Sequence, residues 1–211
     1  MHVAELWRYP VKSLKGEQIQ EAQITSNGIP GDREIVVLNC AGRIITSRTR
    51  PKLLRLNGNL GPDGIPTING LKWDSTEAGE LVNQAVGEDV RLMRVPQPQA
   101  FDVLPLLIAT DGATQFLNID HRRLRPNILL ANVNGLNERD WPGRIITIGD
   151  LRIQAVKLRA RCVMTTFDPD TQEQDKSVLI KIIRDLDGTT ALDCSVIQPG
   201  VVRLGDVVEI I

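Results

Sequence analysis

The feature that most constrains the fold is a succession of short apolar runs separated by Gly, Pro, Asn and Asp roughly every eight to twelve residues. This spacing is typical of a barrel or sandwich and not of a doubly wound α/β sheet. Turn glycines favour hairpins at Gly42 and Gly149. The strands predicted from these runs are 3–7, 18–25, 33–38, 44–46, 53–59, 90–95, 104–109, 128–131, 145–148, 151–157, 191–197 and 207–211.

Helical periodicity is confined to three short segments. Apolar residues fall on one helical face in 78–86, 113–117 and 178–186. Asp74 or Ser75 can cap the first segment, and Gly87 can end it. Thr110 precedes the second segment and Gly188 follows the third. We therefore predict an α+β fold that is predominantly β.

A stretch rich in proline and glutamine, Pro96-Gln97-Pro98-Gln99-Ala100, interrupts the chain near its middle. Such a composition favours a stiff, extended connection. We expect it to join an N-terminal β subdomain, 1–95, to a second domain, 100–211. Apolar residues make up 42% of the chain and charged residues 24%, which is the usual composition of a globular protein that folds unaided.

The charge balance and hydropathy argue against two classes of partner. Lys and Arg total 25 against 26 for Asp and Glu, so the net charge of −1 gives no bulk attraction for nucleic acid or for an anionic membrane. No apolar run approaches the ~18 residues of a membrane span, and the first residues lack the pattern of a signal peptide. We expect a cytoplasmic protein that binds neither nucleic acid nor membrane.

Histidine and cysteine usage limits the possible sites further. The histidines are His2 and His121, too few for a zinc centre or a Ser-His-Asp triad of the usual kind, and we interpret them as a terminal and a solvated loop residue. Cys40, Cys162 and Cys194 are odd in number and far apart, which argues against a disulfide framework. We expect reduced thiols, with Cys40 and Cys194 inert in apolar surroundings.

Cys162 is the thiol whose sequence neighbours favour chemistry. Arg159 and Arg161 lie within three residues of it, and nearby cations lower a thiol's pKa towards the thiolate, which is the nucleophile and the soft-metal ligand. The segment from Asp168 to Thr171 predicts a turn that folds back towards the thiol, where Asp168 could hold hydrogen-bond donors in place. The alternative is a buried cysteine that only packs.

Basic residues beside hydroxyl and glycine residues recur at the predicted strand ends. Lys and Arg in such settings are the components of an anion-binding pocket, and the alternative is a solvated strand end. The spacing of a P-loop is absent. These clusters are 9–16, 31–33, 46–48 and 122–127.

Taken together, these motifs resemble the MOSC family with its N-terminal β-barrel subdomain. Each motif is weak alone, but their order along the chain matches the family from Val3 to the C-terminus. The motifs are Tyr9-Pro-Val-Lys-Ser-x-Lys-Gly16, Gly31-Asp-Arg33, Thr46-x-Arg48-x-x-Pro-x-Leu53, Arg125-Pro-Asn127, Trp141-Pro-Gly-Arg144, Ile148-Gly-Asp150, Arg161-Cys162-x-x-x-Thr-x-Asp168-Pro-x-Thr171, Gln198-Pro-Gly200 and Arg203-x-Gly-Asp206.

The resemblance implies a MOSC-type β-barrel core with a few helices that binds a molybdenum-molybdopterin cofactor. By motif, Cys162 becomes the metal ligand and catalytic residue, with Asp168 in a supporting catalytic role. The implied cofactor contacts are Lys12, Ser13, Arg33, Arg48, Arg125, Asn127 and Arg161. The reductase branch of the family implies a small N-oxygenated substrate. It also implies a separate electron-donor protein of the ferredoxin, flavodoxin or cytochrome b5 type, because the chain carries no four-cysteine ferredoxin-like segment.

The chain departs from the family pattern at three places. Val103 and Leu104 stand where hydroxyl or Gly-Tyr residues are frequent, so side-chain bonds to the cofactor are expected to be lost there. Ala160 replaces a hydroxyl residue before the Arg-Cys pair. Asp193 occupies a position where relatives commonly have Tyr or Asn, and an ionised carboxylate there would repel a phosphate.

Three functions remain open from the sequence. The first is a molybdenum-dependent oxidoreductase that reduces N-oxygenated compounds. The second is a sulfur carrier or sulfurtransferase that uses a persulfide on Cys162, since the same thiolate would serve. The third is a non-catalytic module that binds the molybdenum cofactor.

Overall fold

The computed structural model describes residues 1–97 and 101–211, and strands dominate both parts. The helices are α1 (Thr76–Val86), α2 (Asp111–Leu117) and α3 (Lys176–Leu186). The strands are β1 (His2–Arg8), β2 (Glu17–Ile19), β3 (Glu21–Ile24), β4 (Ile35–Leu38), β5 (Ile44–Ile45), β6 (Gly58–Leu60), β7 (Pro66–Ile68), β8 (Leu71–Lys72), β9 (Arg91–Arg94), β10 (Leu106–Thr110), β11 (Ile128–Ala131), β12 (Ile145–Ile148), β13 (Leu151–Ala160), β14 (Thr189–Gln198), β15 (Gly200–Arg203) and β16 (Val208–Ile210). The predicted α+β class with predominant β structure is confirmed.

An eight-stranded sheet in the order β16-β12-β13-β14-β10-β11-β1-β2 forms the larger part of the fold. Its pairs are antiparallel except β10 and β11, which run parallel. The N-terminal segment lies beside the C-terminal one. Val3 N donates to Asp206 O at 2.9 Å, and Val208 N donates to Met1 O at 3.2 Å. The sheet therefore curls around an apolar core that includes Leu6, Ile108 and Ile146.

A second core lies in the N-terminal part of the chain. Two three-stranded sheets, β5-β4-β9 and β6-β7-β8, enclose it together with α1. The helix begins as predicted: the Ser75 hydroxyl accepts the amide hydrogen of Ala78 at 3.2 Å. It ends at Gly87, whose φ of 84° suits the left-handed C-cap that favours glycine. Val82 presents the apolar face of the helix to the core.

The segment predicted as a strand over 53–59 is different in the structure. Pro51–Arg55 forms a 3₁₀ helix, and strand β6 begins only at Gly58. Pro51 favours a helix start because its φ is fixed and it lacks an amide hydrogen. Leu53 and Leu54 are buried on this helix, so the apolar run that predicted a strand is satisfied by a helical turn. The short strands β7, β8 and β15 were not predicted from the sequence.

The predicted boundary near the middle of the chain is only partly described. Residues 98–100 lie outside the described residues. Gln97 is held to the N-terminal part, since its amide donates to Ile29 O at 3.0 Å and to Asp32 O at 2.8 Å. Strand pairing crosses the proposed boundary, because β1 lies between β11 and β2 in the large sheet. The division into 1–95 and 100–211 stays a prediction.

Two predicted environments are wrong. His121 lies in the 3₁₀ helix His121–Arg123 and is 19% exposed, with Nε2 3.0 Å from Glu5 Oε2. Tertiary contact with β1 covers it, so it is not a solvated loop residue. Cys40 is exposed at the hairpin turn and is not in apolar surroundings. Among the helices that the structure describes, none is both long and apolar enough to cross a membrane.

Candidate functional site

A cavity of about 120 Å³ collects eight of the nine site residues predicted from the sequence. We name it the first cavity. The predicted residues that line it are Lys12, Ser13, Arg33, Arg48, Arg125, Asn127, Arg161 and Cys162. They come from segments far apart in the chain, so only the tertiary fold brings them together. Their roles remain predictions.

Three of these residues adopt a backbone conformation that is uncommon outside glycine. Ser13, Arg33 and Arg125 have φ values of 75°, 55° and 57°. Ser13 lies in the turn after β1, Arg33 precedes β4, and Arg125 precedes β11. Left-handed conformations in non-glycine residues persist where the surrounding structure imposes them, and they cluster at functional sites. Each of these turns directs a polar side chain into the same cavity.

A buried polar network fixes the Arg33 side of the first cavity. Asp32 is fully buried and accepts hydrogen bonds from Tyr9 N at 2.7 Å, from Asn127 Nδ2 at 3.2 Å and from Arg33. The side-chain oxygen of Asn127, Oδ1, accepts the amide hydrogen of Leu107 at 3.1 Å. Asn127 therefore joins β10 to the Asp32 turn, and its position at the cavity is set by these bonds.

Tyr9 supports two of the arginines through its ring. The guanidinium carbon of Arg125 lies 4.3 Å from the ring centroid, and that of Arg33 lies 4.9 Å from it. Cation–π contacts of this kind stabilise by up to about 2 kcal/mol when they are desolvated. The Tyr9 hydroxyl donates to Pro126 O at 3.1 Å, and burial raises the pKa of Tyr9 to about 12. The sequence motif contained Tyr9, but its ring contacts could not be inferred from it.

Two half-buried arginines of the first cavity retain buried nitrogen atoms with no hydrogen-bond partner. Among the described residues, Arg125 Nη2 and Arg161 Nε have no partner, although Arg161 Nη2 donates to Leu124 O at 2.9 Å. Burial lowers the pKa of both arginines to about 10, because a charge is costly to hold away from water. An anion in the cavity would supply both the missing acceptors and the missing countercharge.

Asp102 is the carboxylate among the described residues lining the first cavity. It bonds Lys12 Nζ at 2.7 Å and Arg48 Nη2 at 3.0 Å. Burial opposes its ionisation, but the hydrogen bond from Lys12 and the charges of Lys12 and Arg48 outweigh burial and lower its pKa. Asp102 thus links two of the predicted cofactor contacts.

Asp193 does not act as the isolated negative charge that the sequence suggested. It is fully buried on β14, and Arg159 Nε donates to its Oδ1 at 2.6 Å. Arg159 lines the first cavity, as does Arg123, and neither was assigned to the site from the sequence. The spacing of Arg159 from Cys162 was the available signal for the first, whereas nothing local distinguished Arg123 from its basic neighbours.

Asp168 is the predicted site residue that the structure does not bring to the first cavity. Its carboxylate accepts the amide hydrogens of Asp170 and Thr171, each at 3.0 Å, and bonds Arg123 Nη2 at 3.0 Å. The bonds from these backbone amides and the charge of Arg123 lower its pKa. Asp168 therefore stabilises the turn after Cys162 and reaches the cavity only through Arg123.

The three thiols occupy different environments. Cys162 is half-buried at the first cavity, immediately before the 3₁₀ helix Val163–Thr166. Cys194 is fully buried on β14, where burial raises its pKa. Cys40 is exposed. Cys162 is thus the thiol that shares a cavity with the cationic residues.

Comparison with known proteins gives two family matches and several relatives. The model described as the MOSC N-terminal beta barrel domain matches residues 1–96, and the model described as the MOSC domain matches residues 105–209. The mitochondrial amidoxime-reducing component 1 of Homo sapiens is 27% identical over 227 residues, covering 80% of this chain and 67% of the relative. Human component 2 is 29% identical over 232 residues, covering 82% and 69%.

A more distant sequence relative and a solved structure are also similar to this chain. The molybdenum cofactor sulfurase of Caenorhabditis elegans is 22% identical over 221 residues, which are 85% of this chain but 31% of the sulfurase. The crystal structure of the YUAD protein from Bacillus subtilis has a TM-score of 0.54 and 13% identity, covering 99% of this chain and 94% of that one. The latter similarity shows a shared fold. Because the two family models together span most of its length, the chain belongs to the MOSC family and carries the family's N-terminal β-barrel domain.

Proposed function

We propose that the first cavity binds a molybdenum-molybdopterin cofactor through its phosphate and its metal. The observation that carries this proposal is a cavity with seven cationic side chains and Cys162, in which buried guanidinium donors lack acceptors. Those cations are Lys12, Arg33, Arg48, Arg123, Arg125, Arg159 and Arg161. Such a concentration of positive charge fits a multiply charged anion better than it fits a neutral ligand.

The chain's own residues divide into a phosphate grip and a metal ligand. Lys12, Ser13 and Arg33 would donate to the phosphate from one side, and Arg125 would donate from the other. The Cys162 thiolate is a soft ligand that suits molybdenum. Among the described residues, no cluster of three His, Cys, Asp or Glu side chains is placed to hold a metal, so the cofactor would have to supply further ligands.

We further propose that the protein is an oxidoreductase that reduces small N-oxygenated compounds. The similarity to the amidoxime-reducing components supports this reaction class. When bound, the cofactor would supply the two-electron chemistry that removes oxygen from an N–O bond. The polypeptide's part is to hold the cofactor and to place Cys162 at the cavity. A separate electron-donor protein of the ferredoxin, flavodoxin or cytochrome b5 type would deliver the electrons, and we propose a cytoplasmic location.

Metal content and turnover together test this proposal. The purified chain is expected to hold close to one molybdenum and one pterin and to reduce benzamidoxime with a chemical electron donor. Cys162→Ser exchanges a soft ligand for a hard one and is expected to abolish turnover, whereas the control Cys40→Ser keeps it. Full activity of Cys162→Ser with bound molybdenum would refute metal ligation by this thiol. Cofactor binding without turnover would favour the non-catalytic module.

The second candidate is a sulfur carrier or sulfurtransferase with a persulfide on Cys162. The half-buried position of this thiol beside cations and the similarity to a molybdenum cofactor sulfurase favour it. Sulfane sulfur on Cys162, absent from Cys162→Ser and present in Cys40→Ser, would support this function if the protein holds no molybdenum. Molybdenum without sulfane sulfur would exclude it.

A further inference from the structure

A second cavity, of about 270 Å³, adjoins the first one. Arg123, Arg125 and Met164 line both cavities. We name it the second cavity and define it by Trp7, Tyr9, Leu54, Phe167, Met164 and Arg125. None of Lys12, Ser13, Cys162 and Arg161 is among the described residues that line it. The proposed cofactor site therefore leaves this space unexplained.

The apolar surface of the second cavity suits a flat ring. The Trp7 and Tyr9 rings are stacked, with centroids 6.4 Å apart and an angle of 19° between their planes. Phe167 and Leu54 supply further apolar surface. Gly16 also lines this space, and a Cβ atom there would collide with the Tyr9 ring, so the glycine allows the ring to lie against the backbone. An aromatic ligand can make offset or edge contacts with aromatic side chains, which contribute about 0.5–1.5 kcal/mol beyond the area that they bury.

The charged side chains around the second cavity differ in whether their hydrogen-bonding atoms have partners. Asp170 bonds Lys15 Nζ at 3.5 Å and Arg122 Nη2 at 2.7 Å. Arg123 donates to Thr166 O at 2.9 Å and is paired with Asp168. Arg125 is different, because its Nη2 atom is buried and has no partner among the described residues. A ligand in this cavity therefore meets one half-buried cation with an unused hydrogen-bond donor.

We propose that the second cavity binds a small planar aromatic molecule that carries a carboxylate. The ring lies against Trp7 and Phe167, and the carboxylate accepts hydrogen bonds from Arg125. A guanidinium has five N–H donors, so Arg125 can serve this carboxylate while it also contributes to the first cavity. The proposal goes beyond the proposed function, since it requires neither bound molybdenum nor reductase activity.

Tryptophan fluorescence of the full chain, as purified, tests the proposal. The probes are 4-nitrobenzoate, its uncharged counterpart 4-nitrobenzamide, and acetate, which has charge but no ring. We expect 4-nitrobenzoate to quench the emission and to bind about tenfold more tightly than 4-nitrobenzamide, because a charge-assisted bond is added. We expect no measurable effect of acetate at the same concentrations.

Two tryptophan variants locate the probe. Trp7 lines the second cavity, whereas Trp73 packs against the separate N-terminal core. Quenching is expected to disappear in Trp7→Phe and to persist in Trp73→Phe. Binding that leaves Trp7 emission unchanged would place the probe elsewhere and overturn the proposal.

Arg125→Met tests the polar part of the site. It is expected to remove the difference in affinity between 4-nitrobenzoate and 4-nitrobenzamide, and the control Arg43→Met, at an exposed hairpin position, is expected to keep it. Equal affinities of the two probes for the unmodified chain would also overturn the proposal. None of these outcomes depends on turnover, so failure of the reductase proposal would remain distinguishable.

Discussion

Replacing Arg125 by methionine is expected to have opposite effects on the stability of the ligand-free chain and on its anion binding. The Arg125 side chain is half-buried, and desolvation lowers its pKa to about 10 from the usual value of about 12.5. Because the pKa is lower in the folded state, the charge destabilises the fold at neutral pH, and this cost fades only above pH 10. At about 1.36 kcal/mol per pKa unit, the cost is roughly 3 kcal/mol.

The contact with Tyr9 offsets part of this cost. A desolvated cation–π contact at 4.3 Å contributes about 2 kcal/mol, and methionine would lose it while still filling most of the space. We therefore expect Arg125→Met to raise the free energy of unfolding of the ligand-free chain by about 1 kcal/mol. In the presence of pyrophosphate, the unmodified chain should gain stability by mass action, and the variant should lose most of that gain.

Urea unfolding at pH 7.5, with and without pyrophosphate, measures both effects in the same preparation. Arg43→Met removes a charge at an exposed position and is the matched control, for which both values are expected to stay near those of the unmodified chain. A ligand-free Arg125→Met variant that is less stable by more than about 1 kcal/mol and still gains fully from pyrophosphate would refute the reasoning.

Three further predictions concern other groups. Under native conditions iodoacetamide should label exposed Cys40 but not buried Cys194, as measured by mass spectrometry, and native labelling of Cys194 would contradict its burial. Burial raises the pKa of Glu138 in the folded state. Its contribution to the stability of the fold is therefore fully present below the pKa of the unfolded state and is lost as pH rises through the pKa of the folded state. Glu138→Gln should therefore be more stable relative to the unmodified chain at pH 8 than at pH 4.5 in thermal unfolding, and an equal difference at both pH values would contradict this. Asp168→Ala removes two bonds to backbone amides and should lower the free energy of unfolding by about 1 to 2 kcal/mol. The control Asp89→Ala, at an exposed carboxylate, should change it little, and equal losses would exclude the turn as the cause.

Capping residues and turn glycines in the sequence predicted the helix ends and hairpins, because these features depend on interactions within a few residues. The α1 boundaries followed from a hydroxyl cap at Ser75 and a left-handed glycine at Gly87, each of which acts within a few residues. The hairpin glycines at 42 and 149 do adopt positive φ, as the turns require. The strand predicted at 53–59 was wrong because leucines can be buried equally well on a 3₁₀ helix. Periodicity over so few residues does not distinguish a strand from a helix.

The chemistry of the site was visible in the sequence as separate motifs, and the order of these motifs indicated the family. Their meeting in one cavity required the tertiary structure, because Lys12, Arg125 and Cys162 are distant in the chain. The ion-pair partners of the charged residues also became known only from the tertiary structure. Asp193 is neutralised by Arg159 across paired strands, and Asp168 acts on Arg123 instead of facing the cavity.

The sequence by itself therefore determined the β-rich class, the capped helices and a list of candidate residues for an anion-binding site. Only the tertiary structure decided which arginine nitrogen atoms are buried without an acceptor, how Tyr9 supports two arginines, and that Arg125 also lines a second cavity. The physical reason is that residue type and spacing fix hydrogen-bonding capacity and local backbone preference. Burial, desolvation and long-range pairing depend on neighbours that the fold supplies.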